Sequence, residues 1–211
     1  GGHNAGEIAS SEAIKGIIEN ISDESVLENA ETELVRCVEV VNKDIYRAAV
    51  STRGLIGMGT TLVAAALINE KACIVNVGDS RAYEINADGI QQVTTDHSLV
   101  TRDPSYVEEL RQMGRISDDE ARNHPGKNQI TRAVGTEDTV KTDYFEAVLD
   151  EGEVLLLASD GLTNMLEDAE IFSIISTRAE ISQKVTDLVN KANDNGGLDN
   201  ISVVVVEPDR I

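Results

Sequence analysis

Three glycines in "RGLIGMGTT", residues 53–61, divide the chain between two hydrophobic periods, and no other feature limits its fold as strongly. Upstream, Val35, Val38, Val41 and Ile45 recur three or four residues apart with charges between them, the period of a helix that buries one face. This predicts helices over 4–21 and 26–50. Downstream, "TTLVAAALI" (60–68), "ACIVNVGDS" (72–80), "RAYEINADG" (81–89) and "IQQVTT" (90–95) read as a meander of antiparallel strands. "NADG" supplies a hairpin, with Asp88-Gly89 as its turn. Strands resume at "KTDYFEAVL" and "EVLLLAS", a helical stretch covers 167–193, and "NISVVVVEP" reads as a last buried strand. Helices grouped apart from runs of antiparallel strands predict an α+β layered sandwich. Residues 96–130 differ: they are polar, hold two of the three prolines and contain one short helix, "YVEELRQMG". They read as an exposed insertion.

The 211 residues suit one domain with a substantial core and need no disulfide or structural metal. No apolar run approaches the roughly 18 to 20 residues that cross a bilayer, and no signal peptide stands at the start. Cys37 and Cys73, in apolar contexts on different predicted elements, read as buried free thiols, which makes a reducing cytoplasm the expected compartment. The formal charge of −20 argues against nucleic acid and anionic membranes as partners, since both demand positive charge. The same field concentrates divalent cations.

"LLLASDGLTNM", residues 155–165, carries the chemistry. Leu155 to Ala158 run without alternation, as a strand covered on both faces does, and end on Ser159-Asp160-Gly161. A carboxylate at the tip of a buried strand needs a cation or good hydrogen bonds; otherwise Asp160 is a turn residue or helix cap. Asp79 after "CIVNVG" and Asp199 between "NGGL" and "NISVVVV" repeat the arrangement. Three strand-end carboxylates on one sheet edge would suit Mg²⁺ or Mn²⁺, which take carboxylate oxygens and retained waters. Other centres fit less well: "DNGGLDN" lacks EF-hand spacing, the histidines and cysteines lack zinc-ligand spacing, and no G-x-S-x-G is present. His97 and His124, in the polar insertion, read as solvated or capping residues.

In order, "GGHNAGEIAS", "GMGTTLVAA", "VNVGDSRAY", "TTDHSLV", "ITRAVG", "LLLASDGLTNML" and "GGLDNISVVVV" closely resemble the metal-dependent protein phosphatases of the PP2C (PPM) family, nearest its bacterial housekeeping branch. The resemblance runs from residue 1 almost to residue 206. It implies a β-sandwich of two antiparallel sheets flanked by helix pairs, with two Mn²⁺ or Mg²⁺ ions between the sheets. It further implies hydrolysis of phosphoserine and phosphothreonine in proteins, opposing eukaryote-like Ser/Thr kinases. By resemblance Asp160 and Asp199 are ligands of the first metal and act in catalysis through metal-bound water. Asp79 falls on the ligand of a third metal, shared with Asp160. Residues 96–130 correspond to a flap bordering the active site, with His97 and Arg132 as substrate-access residues. Thr131 and Arg132 close that segment either structurally or by touching phosphate.

The chain opens at the "GGH" of the family's "DGMGGH" motif. The metal-bridging Asp of that motif and the family's first strands are therefore expected to be missing, leaving a single PP2C-like domain over 1–211 with weak metal binding and little activity. A competing expectation is a catalytically inactive PP2C-like regulatory binding module.

Overall fold

The structure is a computed structural model that describes residues 5–98, 113 and 129–208. Helices α1 (Gly6–Asn20), α2 (Asp23–Glu28) and α3 (Ala30–Ser51) come first. The strands are β1 (Leu62–Ile68), β2 (Lys71–Val77), β3 (Arg81–Asn86), β4 (Gly89–Gln92), β5 (Asp143–Val148), β6 (Val154–Ala158) and β7 (Val203–Val206). Between β6 and β7 lie the single turn α4 (Asp160–Thr163) and the helices α5 (Asp168–Ile175) and α6 (Ile181–Asp194).

The strands form two antiparallel sheets, ordered β1-β2-β5 and β4-β3-β6-β7. Alternation along each strand explains the stacking. On β2, Cys73, Val75 and Val77 pack with Val38, Val41 and Ile45 of α3. Ala72 and Ile74, one step out of phase, meet Ala82 and Leu155 of the other sheet. On β6, Leu155 and Leu157 face this gap between sheets, while Val154, Leu156 and Ala158 pack under Ile171 and Leu188 of the C-terminal helices. The result is helices, sheet, sheet, helices. The unalternating "VLLLA" run is thus covered on both sides, as expected.

Four expectations require correction. The strands of 60–95 are not one meander, because the chain leaves the first sheet after Val77 and enters the second at Arg81. The helix expected over 26–50 breaks at Asn29, whose side chain accepts the Thr32 N–H at 2.9 Å and starts α3 afresh. The stretch over 167–193 is two helices, α5 and α6. The last strand is only half buried: β7 is the sheet's edge, and Val204 is 53% exposed. The β3–β4 hairpin forms where "NADG" predicts it, pairing Asn86 with Gly89. Cys37 and Cys73 are buried free thiols. His3, His124 and the helix expected over 106–114, apart from exposed Met113, lie outside the described residues. Among the described residues, no helix is long and apolar enough to cross a membrane.

Candidate metal centre

At the end of β6 the chain turns sharply through extended Ser159 into α4, whose first residue is Asp160. The 199–202 segment is stapled to this turn. Ser159 N–H donates to Ser202 O at 3.0 Å, and Ser202 N–H donates to Ser159 Oγ at 2.9 Å. Ser159 Oγ–H in turn donates to Asn200 O at 3.2 Å. Glycine is required beside Asp160, since a Cβ on Gly161 would lie 2.2 Å from Asn200 O. Backbones in that contact bring Asp160 and Asp199 into one electrostatic environment. Burial, and then the charge of Asp199, raise the Asp160 carboxyl above its ordinary value. Asp199 itself is exposed and accepts the Asn200 N–H at 2.7 Å.

Asp79 arrives from the other sheet, after β2. Burial, and then the Asp160 charge, push its carboxyl up to about 6. Gly78 sets its direction, with φ at +110° and no room for a side chain, since a Cβ would meet Thr61 Cγ2 at 2.4 Å. Both polar groups of Gly78 are held. Its N–H donates to His97 Nδ1 at 3.0 Å, and its carbonyl accepts from His97 N–H at 2.9 Å and from Asn76 Nδ2 at 3.3 Å. Asn76 is fully buried, and its Oδ1 has no partner among the described residues.

His97 contradicts its expected solvation: it is buried at 5% exposure. The local sequence around it is polar, but its partners are far away in the chain. Because Nδ1 accepts a hydrogen bond, the neutral ring carries its proton on Nε2, which faces Asp143 Oδ2 and Arg132 Nη1, each at 3.0 Å, and of these two only the carboxylate can accept it. Burial, reinforced by the Arg132 charge, lowers the His97 pKa and keeps the ring neutral. Arg132 Nη1 donates to Asp143 Oδ1 at 2.8 Å and to Lys141 O at 3.1 Å. Burial opposes the Asp143 charge, yet hydrogen bonds from His97 and Arg132 hold that carboxyl below its ordinary value. Thr131 N–H donates to His97 O at 2.7 Å, and Ser98 pairs with Ile130. The two ends of the 99–129 segment therefore meet in a closed neck. Both Thr131 and Arg132 have structural partners within it.

Asp79, Asp160 and Asp199 thus form an acidic series in which Asp160 feels the charge of Asp199 and Asp79 feels that of Asp160. Raised carboxyls that repel one another gain most from a shared cation, and their oxygens are the donors that Mg²⁺ and Mn²⁺ prefer. Among the described residues, no three His, Cys, Asp or Glu side chains close into a ready metal shell. The donor chemistry fits a divalent metal, and the shell these residues offer is partial. A cavity of about 530 Å³, lined by Asn86, Glu153, Lys184 and Glu207, lies at the opposite end of β6. It has no part in this centre.

The model of the protein phosphatase 2C family matches residues 1–195. The chain belongs to that family. Among relatives of this phosphatase 2C chain, the serine/threonine phosphatase stp of Listeria innocua is 42% identical over 210 residues, covering 98% of this chain and 81% of the relative. Protein phosphatase PhpP of Streptococcus pneumoniae is 36% identical over 208 residues, with coverage of 98% and 81%. Among solved structures, the serine/threonine phosphatase Stp1 of Staphylococcus aureus superposes with a TM-score of 0.83 at 34% identity, covering all of this chain and 81% of that one. PstP/Ppp of Mycobacterium tuberculosis gives 0.84 at 30% identity, with coverage of 100% and 85%. The expected fold, two antiparallel sheets flanked by helices, is the fold of these phosphatases. Asn76 and Asp143 escaped the sequence reading, whereas Gly78 was marked as the glycine beside Asp79. A polar residue inside the apolar "CIVNVG" was the one available signal.

Proposed function

We propose that this phosphatase 2C chain hydrolyses phosphoserine and phosphothreonine esters in proteins, using Mn²⁺ or Mg²⁺ held by Asp79, Asp160 and Asp199. The carrying observation is the Asp160 carboxyl, desolvated at a strand tip and raised further by the Asp199 charge, whose carrier segment packs directly on Gly161. Bound divalent ions would acidify a water and neutralise phosphate charge. The chain's own contribution is placement. The packing of Gly161 on Asn200 supports a joint role for Asp160 and Asp199, and the Asp160 charge felt by Asp79 supports adding Asp79 from the other sheet. Arg132 is already engaged by Asp143 and Lys141, which supports an anchoring role for it over phosphate binding. Phosphorylated proteins are the substrates, and a Ser/Thr kinase is the opposing partner. The charge of −20 disfavours nucleic acid and anionic membrane surfaces. Two buried free thiols suit the cytoplasm.

Mn²⁺-dependent hydrolysis of a phosphothreonine peptide tests this reading, with Asp160→Ala as the control. Metal-dependent turnover abolished by the substitution is the expected outcome. A folded protein that stays silent at millimolar Mn²⁺, both as these 211 residues and when extended upstream of Gly1, would favour the regulatory binding module instead.

A further inference from the structure

His97 grips Gly78 at two points. Its backbone N–H donates to the Gly78 carbonyl, and its Nδ1 accepts the Gly78 N–H. The ring nitrogen thus takes the place that a carbonyl would fill in a strand pair. The grip falls on the residue immediately before Asp79, at a positive φ, where Asn76 Nδ2 adds only one longer contact, 3.3 Å to the same carbonyl. The far side of the ring is fixed by Asp143, which is itself held by Arg132. Asp143 lies on β5, opposite Asn76 in the β2 register, so the brace spans the sheet that delivers Asp79.

We propose that His97 is a positioning residue: its imidazole, braced by Asp143, fixes the Gly78 peptide and thereby aims the Asp79 carboxylate at the metal centre. This rests on the reading of Asp79 as a metal ligand. Partners of this kind, one step removed from a metal, typically contribute 10- to 100-fold to its affinity. Removal of the Gly78 contact is the decisive change, because the Asp143 side only holds the ring still.

Two substitutions separate the contacts. His97→Asn places an amide oxygen near the position of Nδ1, keeping an acceptor for Gly78 N–H but falling short of Asp143. His97→Leu removes both contacts. Mn²⁺ affinity is read by calorimetry and by the Mn²⁺ concentration giving half-maximal hydrolysis, with thermal unfolding measured alongside. The expected result is that His97→Leu weakens Mn²⁺ roughly 10- to 100-fold while His97→Asn stays within about threefold of the parent, although both variants lose thermal stability. A folded His97→Leu with unchanged Mn²⁺ dependence, or His97→Asn as impaired as His97→Leu, would overturn the proposal. Should the leucine variant not fold, nitrogen NMR of the parent decides. A coupling between the Gly78 amide nitrogen and His97 Nδ1 supports the grip, and a protonated Nδ1 refutes it. Asp79→Ala distinguishes the two levels. An unchanged Mn²⁺ dependence in that variant removes the underlying metal reading and the inference with it, whereas a shift in Asp79→Ala without one in His97→Leu removes the inference alone.

Discussion

Gly161 has no space for a methyl group, and the consequence is specific to the metal centre. In Gly161→Ala the new carbon would have to displace the Asn200 carbonyl, which lies 2.2 Å from its position, and so part the backbones that carry Asp160 and Asp199. Overpacking of this kind costs about 1–3 kcal/mol. The expected variant is folded, less stable by that amount in urea titration, and weakened further in Mn²⁺ binding by calorimetry. Glu33 offers a prediction of another kind, away from the centre. Hydrogen bonds from Arg36 and then from Ser22 N–H, working against burial, lower its carboxyl from 4.5 to about 2. A carboxyl depressed on folding contributes stability above pH 4.5 that is lost as pH falls toward 2. Glu33→Gln should therefore lower the urea midpoint at pH 6 and converge with the parent near pH 2.

At the scale of elements, β6 and β7 look alike in sequence and differ in cost. Leu156 on β6 is fully buried between its sheet and the C-terminal helices, so Leu156→Ala should cost about 2–5 kcal/mol. Val204 on edge strand β7 is 53% exposed, and Val204→Thr should stay within about 0.5 kcal/mol. Chemical denaturation of the two variants checks the contrast. The pair also marks the limits of reading this sequence. An apolar run reveals a strand, but whether a neighbour covers each face depends on sheet order, which residues far along the chain decide. Hence "VLLLA" was legible as doubly covered, whereas "VVVV" was misread as buried. The break before α3 left a local signal, the cap at Asn29, which the periodicity of 26–50 masked. The change of sheet at Gly78 to Ser80 left none. Within the candidate centre, Asp79, Asp160 and Asp199 were legible because glycines and strand ends mark them. His97 was not, since its partners Gly78 and Asp143 lie 19 and 46 residues away and only the fold brings them to the ring.

For the molecule as a whole, a charge of −20 on 211 residues stores self-repulsion in the folded state. Salt should relieve it: the melting temperature is expected to rise with NaCl as the screening length shrinks to about 8 Å near 0.15 M. Mg²⁺ at matched ionic strength should stabilise further, by about 2.7 kcal/mol at one hundred times its dissociation constant. Asp160→Asn should remove that excess and leave the NaCl response intact, as differential scanning calorimetry would resolve.

The closed neck at Ser98–Ile130 and His97–Thr131 gives this framework a freedom that its sheets lack. Since the ends of residues 99–129 are joined by the framework itself, the length of chain strung between them is nearly decoupled from folding: doubling it costs only about 0.6 kcal/mol. A change in the number of residues between Ser98 and Ile130 can therefore leave the sandwich beneath undisturbed.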